Sequence, residues 1–129
     1  NRPAVLALWP KNSGQVYSVP QRFTATFRDR DGDLSKMFLL IGDSPTAAAK
    51  VTVRYDRSTG QFSLVGGTYA VLHRAACGVR VEEGGQKLTV SWVVSFRAGF
   101  RGVHNLYLKA QDAPGNATSW KLMGTWNVR

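Results

Sequence analysis

The sequence predicts a single all-β domain, a sandwich or barrel of packed antiparallel sheets, on three observations. Apolar and polar residues alternate over several short stretches, the period of a strand with one buried face. These stretches recur about every ten residues and are separated by Gly, Pro and Asp. Nowhere do apolar residues recur at i, i+3, i+4 and i+7 for long enough to build a helix, and PTAAAK, ending at Lys50, allows one turn at most. The 129 residues (1–129) fit one domain, which at this size buries about two-thirds of its unfolded surface. With 43% hydrophobic and 19% charged residues, wholesale disorder is excluded.

AVLALW, from Ala4 to Trp9, reads as a first strand stopped by Pro10, and an eleven-residue connector, Lys11 to Gln21, follows. In QRFTATFR, Phe23, Ala25 and Phe27 point inward while Arg22, Thr24, Thr26 and Arg28 point out. KMFLLIG is almost continuously apolar, which suits a strand covered on both faces. KVTVRYD alternates through Val51, Val53 and Tyr55, and Asp56 to Gly60 reads as a hairpin turn into a strand at 61–65. Residues 66–86 show room for one short strand, Tyr69 to His73. KLTVSWVVSF places Leu88, Val90, Trp92, Val94 and Phe96 inward, and HNLYLKAQ does the same with His104, Leu106, Leu108 and Ala110. The last strand offers Trp120, Leu122, Trp126 and Val128 to one side.

Seventeen Lys and Arg against eight Asp and Glu give a formal charge of +9, a field attractive to anionic glycans, lipid headgroups, cell-wall polymers or nucleic acid. The basic residues are spread almost evenly, however, from Arg2, Lys11 and Arg22 through Arg28, Arg30, Lys36, Lys50, Arg54 and Arg57 onward. That spread describes solvated sheet faces and argues against a dedicated nucleic-acid site. No apolar run approaches the ~18 residues of a membrane-spanning helix. The chain begins at Asn1 without Met, as a processed protein or an excised piece would, and its lone Cys77 allows no intrachain disulfide.

The densest polar cluster is Asp29, Asp31 and Asp33 around Gly32. Carboxylates at this spacing can hold calcium, although the EF-hand pattern would require Glu where Leu40 stands; Asp side chains bound to the backbone of a turn are the competing reading. No other cofactor is indicated. His73, Cys77 and His104 are the only imidazole and thiol groups. They offer one weak metal pair and no positioned base for a nucleophile. Glu82 and Glu83 are adjacent on a strand and face opposite ways, so they cannot flank one bond. No phosphate loop, nucleophile elbow or HExxH occurs, and the chain is expected not to be an enzyme. Trp92 and Trp126 fall in register with the core. Trp9 and Trp120 lie at strand ends, where an exposed ring can stack on a sugar. With Tyr107, Arg97 and Arg101 they make up the expected grip on an acidic polysaccharide.

GVHNLYLKAQDAPGN resembles the penultimate strand and turn of bacterial immunoglobulin-like repeats, with Ala110, Asp112, Gly115 and Asn116 at the A-x-D-x-x-G-N positions. FTATFRDRDGDL is similar to the F-T-x-T-x-x-D-x-D-G stretch of such repeats and of polycystic-kidney-disease-type modules, at Asp29, Asp31 and Gly32. The likeness implies an immunoglobulin-like antiparallel β-sandwich of eight or nine strands from an extracellular or cell-surface protein. It also places His104 where those repeats carry the tyrosine of a tyrosine corner. Val51 stands where some of them carry a cysteine that would pair with Cys77. The function expected is that of a non-catalytic structural or adhesive module. Its partners would be neighbouring domains or further copies of itself, joined through sheet edges or through the first strand, Ala4, Val5, Leu6, Ala7, Leu8 and Trp9. Recognition of an acidic glycan is the alternative.

Overall fold

A computed structural model describes residues 3–66 and 68–129. Among these residues eleven strands carry the fold: β1 (Ala4–Trp9), β2 (Ser13–Gln15), β3 (Gln21–Arg28), β4 (Leu34–Gly42), β5 (Lys50–Asp56), β6 (Gln61–Gly66), β7 (Ala70–Leu72), β8 (Gly78–Glu82), β9 (Lys87–Phe96), β10 (Gly102–Asp112) and β11 (Lys121–Val128). A five-stranded sheet runs β1-β3-β9, with β7 and β8 end to end along the far edge of β9. A six-stranded sheet runs β2-β11-β10-β4-β5-β6. This is the strand order of a variable-type immunoglobulin sandwich.

Two additions raise the strand number above eight or nine. The connector after Trp9 holds β2, which leaves the sheet of β1 and pairs in parallel with β11 on the opposite sheet. Residues 66–86 hold two strands, not one, because β9 is long enough for β7 to take Val94–Phe96 and β8 to take Lys87–Ser91. PTAAAK folds as a turn, with the Ala47 N–H donating to the Ser44 carbonyl.

The alternating residues meet between the sheets. Phe23, Ala25, Phe27, Leu88, Val90, Trp92, Leu106, Leu108, Trp126 and Val128 are all buried. Trp126 packs edge-on to Phe23 at 4.9 Å and Trp92 edge-on to Phe27 at 6.5 Å, the offset arrangement that aromatic quadrupoles favour. In β4, Met37, Leu39 and Ile41 face this core; Leu40 is buried from the other side, while Phe38 is half-exposed. One expected face is corrected. Leu106 pairs with Gly124 but Tyr107 pairs with Leu122, so Met123 is bulged out of the ladder. The extra residue inverts the alternation upstream of it. Trp126 and Val128 therefore point inward, Leu122 is 58% exposed, and Trp120 lies outside the core.

The imidazoles and the thiol complete the backbone. His104 stacks on Phe100 at 3.9 Å, and its Nε2–H donates to the Phe100 carbonyl at 2.8 Å. That is the upstream backbone bond a tyrosine corner makes, supplied by histidine. Between β7 and β8 the ladder along β9 is interrupted at Val93. There the His73 N–H donates to the Val93 carbonyl, and the Cys77 sulfur accepts the Val93 N–H at 3.4 Å while donating to the His73 carbonyl. His73 Nε2 lies 2.9 Å from Ser95 Oγ.

Desolvation raises the Cys77 thiol above its ordinary value of 9.0, against smaller opposing effects from the Val93 N–H, Arg22 and Arg74. The neutral thiol is thus the form that fits the fold. Its stabilising contribution is complete below the unfolded value and is lost as pH rises through the higher folded value. Unfolding titrations are expected to show stability falling above about pH 9, with Cys77→Ser flattening that slope. Alkylation by iodoacetamide should be slower in the folded than in the unfolded chain.

Candidate functional site

The two poles of the sandwich differ sharply. At one pole lie the start of β1, where Ala4 pairs with Arg28, and the β3–β4 and β10–β11 turns. β3 ends as the Asp29 N–H crosses to the Gln86 carbonyl. The chain then turns tightly: Asp29 Oδ1 accepts the Asp31 N–H at 2.9 Å, and Gly32, at a φ of +70°, donates its N–H to the Asp29 carbonyl. The second turn is built alike. Asp112 Oδ1 accepts the Asn116 N–H at 2.7 Å, Asp112 Oδ2 accepts from Asn116 Nδ2 at 3.1 Å, and Gly115 sits at a φ of +99°. The Ala113 N–H donates to the Asp33 carbonyl, and Asp112 pairs with Leu34 across the β4–β10 ladder, so the two turns are tied together.

The result is a trio. One carboxylate oxygen from each of Asp29, Asp33 and Asp112 lies within 4.8 Å of the others. Asp29 and Asp112 are each only 1% exposed. Among the described residues, Asp29 Oδ2 and Asp33 Oδ1 are buried and meet no N–H or hydroxyl donor. Desolvation, then the hydrogen bond that a protonated Asp33 makes to Asp29 and the charge of Asp29, then the charges of Asp112 and Asp31, raise the Asp33 carboxyl above its ordinary value. Of the sequence-predicted set, Asp29 and Asp33 come together, while Asp31 contributes its N–H to the turn and is not one of the trio. Asp112 replaces it. The Gly-Asn that follows Asp112 marked a turn, but its convergence with Asp33 depends on long-range register between β4 and β10, which no local pattern encodes.

The residues expected to grip a glycan fall in separate places. Trp120 joins Phe38 and Lys109 on the outer side of the six-stranded sheet. The two rings are 6.0 Å apart at 71°, and Lys109 Nζ lies 5.8 Å from Phe38 and 5.4 Å from Trp120. Tyr107 shares this face two residues along β10, its hydroxyl donating to the Asp43 carbonyl at 3.2 Å. Trp9, 72% exposed, belongs to the other sheet, on the edge strand β1. Arg97 and Arg101 lie at the opposite pole, beyond β9. The Arg97 N–H donates to the Tyr69 carbonyl, and the Arg101 guanidinium sits 5.3 Å from the Tyr17 ring. Tyr17 and Tyr69, partly buried, pack against the core.

The strand offered for assembly is already engaged within the chain. β1 pairs with β3 from Ala4 to Trp9 around an irregularity at Leu6, with Val5 and Leu8 buried and Leu6 exposed. No protein-family model matches the sequence, and a search of the curated proteins finds no match.

Proposed function

We propose that this domain is a non-catalytic structural or adhesive module of an extracellular or surface protein, one that holds its neighbours apart along a single axis. The observation that carries the reading is the path of the chain. β1 enters at the acidic pole beside Arg28, and β11 leaves at the other, with Val128 opposite Gly102. Sandwiches of this kind can be strung end to end without doubling back. His104, His73 and Cys77 support the non-catalytic part, because each is committed to a backbone or side-chain hydrogen bond that closes the fold. The extracellular setting rests on the likeness of the two Asp-Gly turns to bacterial immunoglobulin-like repeats.

Two copies joined head to tail in one polypeptide test the spacing role. Small-angle scattering should return a maximum dimension close to twice that of the single domain. A compact side-by-side pair would sink the proposal.

A second reading, recognition of an acidic glycan, draws on the Phe38, Lys109 and Trp120 cluster, which unites aromatic faces with a cation on one sheet surface. Trp120→Ala should then weaken binding across an acidic glycan panel by about tenfold or more; unchanged binding rules the cluster out.

A further inference from the structure

We propose that Asp29, Asp33 and Asp112 form a binding site for a divalent cation of the calcium class, closing the acidic pole of the sandwich. Four of the eight acidic residues of a chain with net charge +9, Asp29, Asp31, Asp33 and Asp112, gather on the two turns of this one pole. Two of the three converging carboxylates are buried, and burying charge is costly. Arg57 reaches into this turn, but its Nη1 donates at 3.0 Å to the Gly32 carbonyl and not to a carboxylate.

The independent sign is Asp29 Oδ2. Its sister oxygen holds the Asp31 N–H, the residue is 1% exposed, and among the described residues Oδ2, like Asp33 Oδ1, meets no N–H or hydroxyl donor. Converging carboxylates with two buried, donorless oxygens among them call for either a shared proton or a cation. Hard oxygen donors without nitrogen or sulfur select calcium-like ions over zinc. Three carboxylates from two turns also leave room for the waters that calcium's coordination number of about 6–8 demands. Asp112 is already oriented by Asn116 through both of its oxygens, so a ligand is held in place by its own turn.

A cation here would fasten the β3–β4 turn to the β10–β11 turn. The inference is independent of the spacing role proposed above, since it is read from ion binding by the single domain.

The test uses the 129-residue chain, stripped with a chelator and titrated with calcium chloride near neutral pH, followed by thermal unfolding and calorimetry. Calcium is expected to raise Tm by about 5 °C at saturation, with an affinity in the sub-millimolar to millimolar range. Sodium at matched ionic strength should have no such effect. Asp33→Asn should abolish the response, yet be at least as stable as the parent without cation, because the amide removes one like charge. That second readout separates lost binding from lost folding. A parent chain with flat Tm and no binding heat to about 10 mM calcium, paired with a stabilised Asp33→Asn, would show a proton-sharing pair and overturn the site. A calcium response that survives Asp33→Asn would overturn it as well.

Discussion

Trp126→Ala is expected to remove about 3–5 kcal/mol of folding stability, the high end for a single core truncation. Urea or thermal unfolding reads the loss directly. The indole is 1% exposed, wedged edge-on against Phe23, and its Nε1–H donates to Gln15 Oε1 at 2.9 Å. Truncation therefore opens a cavity between the sheets and also leaves a buried amide oxygen without its donor. A domain of this kind has only about 5–15 kcal/mol in hand, so much of the population is expected to unfold on modest heating. Trp92 provides the contrast. It is equally buried, but among the described residues its Nε1 has no partner. Trp126→Phe loses a hydrogen bond as well as volume, whereas Trp92→Phe loses volume and relieves an unsatisfied donor. The first should cost more than the second by about 1–2 kcal/mol; equal costs would show that the Gln15 bond carries nothing.

Gln15→Ala is the second large effect, expected at about 2–4 kcal/mol. This side chain is 5% exposed and links both sheets. Its Nε2 donates to the Val94 carbonyl on β9 at 3.2 Å and to the Val19 carbonyl at 2.6 Å, while Oε1 accepts from Trp126 on β11. Removing it strands the buried indole N–H and frees the 16–20 loop from the core. Because Gln15 and Trp126 share a bond, a double-mutant cycle over Gln15→Ala and Trp126→Phe should be non-additive by about 1 kcal/mol or more. Strict additivity would refute the link.

The all-β class and most of the core were legible from alternation, and particular residues show why. Phe23, Ala25 and Phe27 on β3 face Leu88, Val90 and Trp92 on β9, two central strands with regular pairing along their whole length, so period two passes straight into burial. Legibility failed where pairing was interrupted. The bulge at Met123 inverted the faces of Trp120 and Leu122, and a bulge leaves no mark in composition. β7 and β8 were obscured because each is short, and because Val79 and Val81 pair with core residues of β9 yet stay 38% and 53% exposed at the end of their sheet. At the acidic pole the local half, Asp29 and Asp33, could be read from spacing. Asp112 could not, since only the register of β4 on β10 brings it there.

The crossing of the first segment from one sheet to the other sets how the domain would respond to a pull on its two ends. β2 runs parallel to β11, fastened by bonds from the Asn12 N–H to the Thr125 carbonyl, from the Arg129 N–H to the Gln15 carbonyl and from the Tyr17 N–H to the Arg129 carbonyl. A pull applied through β1 at one pole and through Arg129 at the other slides these two strands lengthwise past each other. Bonds loaded in that direction must fail together, not one by one as in a peeled hairpin. Such a contact slows forced unfolding by raising the barrier itself, with no need for a larger equilibrium stability.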